Sequence, residues 1–144
     1  MKKYKEPKFI WHEKTGIAIC TINDKFTGMA YCHEDDTDMK SEKVGCEIAY
    51  NRALIKSLKY EKNNVIIPSL RALRQLYYSM VQSKQFNPKS YEANMLKRQI
   101  ENWEFDLKVI EDAIESVQEY IQYYIKTKDE LYQHVRIMRK GKKD

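Results

Sequence analysis

The residues with most chemistry to offer in this sequence are Arg71, Arg74, Tyr77, Tyr78, Phe86, Asn87, Tyr91, Asn94 and Arg98. They gather guanidinium groups, aromatic rings and amides on either side of a single turn. Arginine forks match phosphate oxygens bidentately. Aromatic faces stack on bases, at ~1–3 kcal/mol per base. Amides read base edges or ribose hydroxyls. On a helix Arg71, Arg74 and Tyr78 share one face, as do Tyr91, Asn94 and Arg98. Such a set suits a nucleotide-like anion. Taken without any family resemblance, the same residues more readily make the polar rim of a helical core closed by the tyrosines.

Catalytic chemistry finds little support. An active site needs a nucleophile with its base, a carboxylate pair or a metal cluster. The three histidines, His12, His33 and His134, fall on separate elements with no triad pattern around them. Cys32-His33 with Cys46 matches no zinc spacing. Asp35, Asp36 and Asp38 open like a calcium loop, but the glycine and glutamate that should follow are missing. The four glycines, at 16, 28, 45 and 141, build no phosphate-cradling motif. Any phosphate must therefore be held by side chains or a helix N-terminus. The expectation is a binding protein with no metal and no cofactor, not an enzyme.

The elements that must position these residues begin with strands at 9–12, 17–22 and 26–32. They are joined by the turn signals Lys14-Thr15-Gly16 and Asn23-Asp24, an antiparallel meander. Phe26, Gly28, Ala30 and Cys32 share one face, and such small residues predict a helix packed closely on the sheet. That helix is predicted from about Ser41 to Tyr60, with Ser41 or Asp38 as its N-cap and Lys62-Asn63-Asn64 as its break. Pro68 opens a second helix that ends near Ser83. Phe86-Asn87-Pro88 is a turn. A long helix follows, from Pro88 to about Met138. Its apolar residues Leu96, Ile100, Trp103, Leu107, Ile110, Ile114, Val117, Ile121 and Tyr124 alternate by fours and threes, the a/d pattern of a packed or supercoiled helix. At 1.5 Å per residue it would be roughly 75 Å long, against about 30 Å for the width of a domain this size. The small N-terminal region is too short to cover such a stripe. Either the helix folds back near Lys126-Thr127-Lys128, or a second subunit covers it. The fold expected is α+β: a small three-stranded sheet with a packed helix over 1–64, then a helical hairpin over 65–144 whose long helix forms an oligomer interface.

Composition narrows the classes. The chain has 144 residues, is 42% hydrophobic and 33% charged, and carries a net charge of +5. Those values describe a globular protein. No apolar run approaches a membrane span, and Met1-Lys2-Lys3-Tyr4-Lys5-Glu6 has no secretory character. Three cysteines without framework spacing fit a reducing cytoplasm. Charge is uneven. Residues 65–98 carry Arg71, Arg74, Lys84, Lys89, Lys97 and Arg98 against Glu92 alone, whereas 101–119 is acidic apart from Lys108. The basic end of the chain complements a helix dipole.

The segment Phe26-Thr27-Gly28-Met29-Ala30-Tyr31-Cys32-His33, the helix bearing Gly45-Cys46-Glu47-Ile48-Ala49-Tyr50-Asn51-Arg52-Ala53 and the long helices after it resemble the Thoeris anti-defence proteins of the first type, which phages use as signal sponges. The resemblance covers most of the chain in layout. It implies binding, without cleavage, of a cyclic ADP-ribose signal made by bacterial TIR-domain enzymes, in the host cytoplasm. It also implies a homo-oligomer, a dimer or a trimer of dimers, with the pocket between subunits. Some members trap CBASS cyclic trinucleotides at separate sites. The signal pocket is expected, on chemistry, at Arg71, Arg74, Tyr78, Phe86, Asn87, Tyr91, Asn94 and Arg98, and a second site at Lys25, Thr27 and Arg52. Two other classes remain open: a nucleic-acid-binding protein, opposed by the acidic 101–119 stretch, and a coiled-coil adaptor for another protein.

Overall fold

The computed structural model describes residues 6–31 and 42–141, the last of these, 127–141, by their backbone alone. Strands β1 (Lys8–His12), β2 (Ile17–Ile22) and β3 (Phe26–Tyr31) form an antiparallel sheet in that order. Helix α1 (Glu42–Glu61) follows, then a π turn (Lys62–Ile66), α2 (Ile67–Val81) and α3 (Tyr91–Gly141). The class is α+β, as the patterning predicts. Cys32, His33, the aspartates of 35–38 and the expected N-cap positions Asp38 and Ser41 lie outside the described residues, as does the side chain of His134. Two compact units organise the chain, one of residues 1–57 with 115–144 and one of residues 58–114.

In the first unit the sheet's register decides the packing. Phe9 faces Cys20 and Cys20 faces Gly28; Trp11 faces Ala18 and Ala18 faces Ala30. These rows share the inner face, and α1 covers it with Ile48, Ala49 and Ala53. Gly28 is what lets the helix settle so closely. A Cβ there would collide with the Ala49 carbonyl oxygen and the Ala53 amide nitrogen, both backbone. Ala18, Cys20, Ala49 and Ala53 are fully buried in consequence. Tyr124 and Ile125 of α3 complete this core. Two of the turns use left-handed backbone: Gly16 at φ 68°, and Asn23 with Asp24 at φ 53° and 56°. The latter pair matches the primed turn that a tight hairpin favours.

Lys62-Asn63-Asn64 does not break the helix. The chain stays helical from α1 into α2 through the π turn, and Asn64 Nδ2 donates to the Tyr60 carbonyl at 3.0 Å. An asparagine that answers a carbonyl one turn back supports the helix it might have ended.

α3 does not fold back either. It is one helix of 51 residues, about 75 Å at 1.5 Å per residue. Lys126-Thr127-Lys128 contains neither glycine nor proline, and nothing in it forces a turn. Much of the stripe is already covered within the single chain. Leu96, Ile110, Ile114 and Ile121 are buried, at 6–8% exposure, and Ile100, Trp103, Leu107, Val117 and Tyr124 are half-buried. In the unit 58–114 the covering comes from the helical segments before the turn, where Ile66 and Leu70 are buried in turn. Lys62 to Glu111 at 3.5 Å and Arg74 to Glu104 at 3.2 Å mark the antiparallel pairing. No helix among the described residues is long and apolar enough to cross a membrane.

Candidate functional site: an arginine–tyrosine face on α2

α2 begins at Ile67 with Pro68 in its first turn, where proline's missing N–H costs nothing. Its apolar positions Leu70, Leu73 and Tyr77 turn toward the core, which leaves Arg71, Arg74 and Tyr78 on the flank. The predicted sharing of one face by these three is observed. All three line an open groove of about 740 Å³, whose floor is Ile67, Leu70 and Leu107 and whose other polar side chains are Gln75 and Ser79. Among the described residues no carboxylate lines it.

A second groove, about 650 Å³, lies on the other side of Arg74 and Tyr78, which belong to both. Tyr77, Val81, Gln82 and Ile100 line it with four charged side chains: Arg74, Lys97, Glu101 and Glu104. Two cations against two carboxylates leave it neutral. Both volumes fall in the ~300–1,000 Å³ range of small-molecule sites. Both grooves are open to solvent, with Tyr78 65% exposed.

The rest of the predicted constellation is dispersed. Phe86 stands edge-on to Tyr77, ring centroids 6.2 Å apart, and closes the end of the hairpin. Asn87 Oδ1 accepts from the Lys89 amide at 3.0 Å. Asn94 Nδ2 donates to the Lys89 carbonyl at 3.3 Å. These amides hold the turn, and neither lines a groove. Tyr91 is exposed at the start of α3, and Arg98 is exposed outside both grooves. Of the predicted constellation, the first groove gathers Arg71, Arg74 and Tyr78, and the second gathers Arg74, Tyr77 and Tyr78.

The proposed second trio is divided among structural tasks. Arg52 Nη1 donates to the Met29 carbonyl at 2.7 Å and Lys56 Nζ to the Thr27 carbonyl at 2.6 Å, so α1 caps the open edge of β3 with cations. Charged side chains of this kind block a further strand from adding there. The Thr27 hydroxyl meets that of Thr21 across the sheet at 3.4 Å. Lys25 lies over the Phe26 ring at 5.4 Å.

Gln75, Ser79, Lys97, Glu101 and Glu104 were not anticipated. A signal for two of them was present. With Ile100 and Leu107 at a positions, Lys97 and Glu104 occupy e positions, which flank a helical seam and pair across it.

Among the described residues no group of three histidine, cysteine or acidic side chains is placed to hold a metal ion. The two described thiols are not activated. Burial pushes Cys20 above its ordinary value of 9.0, helped by the neighbouring Cys46, and burial followed by Glu42 and Glu47 raises Cys46. A reactive thiol needs the opposite shift.

Together these features define an α+β protein that carries an exposed arginine–tyrosine face on a helical hairpin. No family model, curated protein or solved structure matches the chain.

Proposed function

We propose that this protein binds and sequesters a nucleotide-like anion without altering it. In the reading suggested by its resemblance to Thoeris anti-defence proteins, the anion is a cyclic ADP-ribose signal and the setting is a phage-infected bacterial cytoplasm. The observation that carries the proposal is the acid-free groove, where Arg71 and Arg74 flank an apolar floor beside the exposed ring of Tyr78. Two guanidinium groups would take a pyrophosphate through charge-assisted forks, and the tyrosine offers a face for a base.

An open groove touches a ligand on one side only. Sequestration at nanomolar concentration requires about −12 kcal/mol, and excluding water from the phosphates strengthens every charged hydrogen bond. A homo-oligomer that closes a second surface over the groove would supply this, and it forms part of the proposal. Because the stripe of α3 is covered within the chain, the case for association rests on side chains that remain bare, above all Phe105 and Val109 at 67% and 50% exposure. A cyclic trinucleotide site at Lys25, Thr27 and Arg52 is not proposed, since Arg52 and Thr27 are engaged at the sheet.

The test is calorimetric titration of the purified protein with glycocyclic ADP-ribose, followed by heat release and mass spectrometry of the ligand. Binding with recovery of the intact molecule is expected. Absence of binding, or recovery of a cleaved product, would overturn the proposal.

A further inference from the structure

The ion pair between Arg74 and Glu104 sits at the boundary of the two grooves. Arg74 Nη2 lies 3.2 Å from Glu104 Oε1, the side chains 57% and 48% exposed. Arg74 is one of two cations among the described residues lining the acid-free groove, and it also lines the neutral one, where its partner Glu104 stands beside Glu101. A carboxylate and a phosphate oxygen make the same kind of contact with a guanidinium. Glu104 therefore already occupies, from within the chain, part of what an incoming anion would use.

From this we infer that Glu104 is a built-in competitor for the anion site: its carboxylate holds Arg74 in the unliganded protein and must yield, or be tolerated at close range, when a phosphate binds. The inference rests on the proposed anion-binding function and adds the residue that sets its affinity. Two effects act in the same direction. The pair itself is solvent-exposed and weak, in the range measured for surface salt bridges. A carboxylate left near a bound phosphate then repels it at short range. Glu104 thus lowers affinity on both counts. A residue that served the ligand directly would have the reverse effect on removal. Glu104 at an exposed e position can be exchanged for glutamine with little change in volume and no loss of buried contact.

The experiment compares ADP with uncharged adenosine, titrated into the wild type, Glu104→Gln, Arg74→Ala and the double variant, with circular dichroism confirming the helical content of each. Glu104→Gln should bind ADP about three- to tenfold more tightly than the wild type and leave adenosine unchanged. In the Arg74→Ala background the gain should shrink to within about twofold, since the competition runs through that guanidinium. If the wild type binds ADP but Glu104→Gln binds it equally or more weakly, the competitor role is wrong while the anion site survives. An equal gain for adenosine would also overturn it, by showing a steric origin. If neither the wild type nor Glu104→Gln binds ADP, the anion-binding proposal fails and takes this inference with it.

Discussion

At Gly28 a single missing methyl group decides how closely sheet and helix approach. The atoms a Cβ would strike are the backbone of Ala49 and Ala53, which cannot swing aside as a side-chain tip can. Gly28→Ala should therefore lower unfolding free energy by about 2–4 kcal/mol, measured by urea denaturation. The small residues Gly28 and Ala30 on one strand face announce this packing in the sequence, because small side chains repeated there have few other uses. The amides of the candidate site were not legible in the same way. Asn87 and Asn94 bond the backbone of the turn, a local role that residue type alone does not distinguish from reading a base edge. Arg71, Arg74 and Tyr78 were legible because helical spacing places them together wherever the helix packs. Cys20 and Cys46 give a prediction with a definite sign. Both thiols lie above the ordinary 9.0 in the folded protein, so folding favours their protonated form. Their contribution to stability is complete below that pH and is lost as pH rises through the folded values. Alkylation of the native protein at these two positions should be slow at pH 8 and accelerate only in the alkaline range, each followed by peptide mass mapping. Fast labelling of either at pH 8 would contradict the assignment.

Elements show where pattern reading works and where it stops. The three strands, both tight turns and the helices are visible as alternations of period two and of three to four. The long helix begins three residues after Pro88, at Tyr91, because Ser90 caps it: Ser90 Oγ accepts the Ala93 amide at 3.2 Å. Ser90→Ala should cost about 1 kcal/mol and Ser90→Asp close to nothing, read from thermal unfolding of the two variants side by side. The π turn escaped the pattern. Lys-Asn-Asn has the composition of a helix break, and only the structure shows Asn64 returning its amide to Tyr60 while Lys62 pairs with Glu111. The stripe on α3 is a packed face, as its spacing predicts, and the chain itself supplies much of its cover. A repeat of fours and threes says that a surface is buried and is silent on whether the partner is the same chain. Ile110 tests the point. At 6% exposure it lies deep in the helical pair, and Ile110→Asp places a carboxylate there without a partner. Global destabilisation by 3 kcal/mol or more is expected, seen as lost helicity and not as mere dissociation.

For the molecule as a whole the question becomes what the chain leaves uncovered once its own core is satisfied. The apolar stripe is buried or half-buried along its described length. Scattered exposed apolar residues are ordinary on any protein, and most of those here need no account. Phe105 and Val109 differ because they lie four residues apart on α3, next-turn neighbours on one face that the described residues leave exposed. The sheet presents a comparable row on its outer side, where Ile10 faces Ile19 and Ile19 faces Met29, with Ile10 and Met29 about half exposed. The proposed sequestration, which requires enclosure of the ligand, would draw on such apolar surfaces, since burying each large side chain contributes about 1.5–3 kcal/mol to association. The homo-oligomer in the proposed function can accordingly be separated from folding. Sedimentation equilibrium of the wild type at micromolar concentration should give a mass that is a multiple of the 17.3 kDa chain. Phe105→Glu with Val109→Glu should shift it to that single-chain mass while leaving helical content and the unfolding midpoint nearly unchanged, because neither residue contributes to the core. A wild type that sediments as one chain removes the enclosing partner from the proposal, and with it the route from an open groove to tight sequestration. If the wild type associates and the double glutamate variant still does, the interface lies elsewhere, and the outer row of the sheet becomes the next surface to charge.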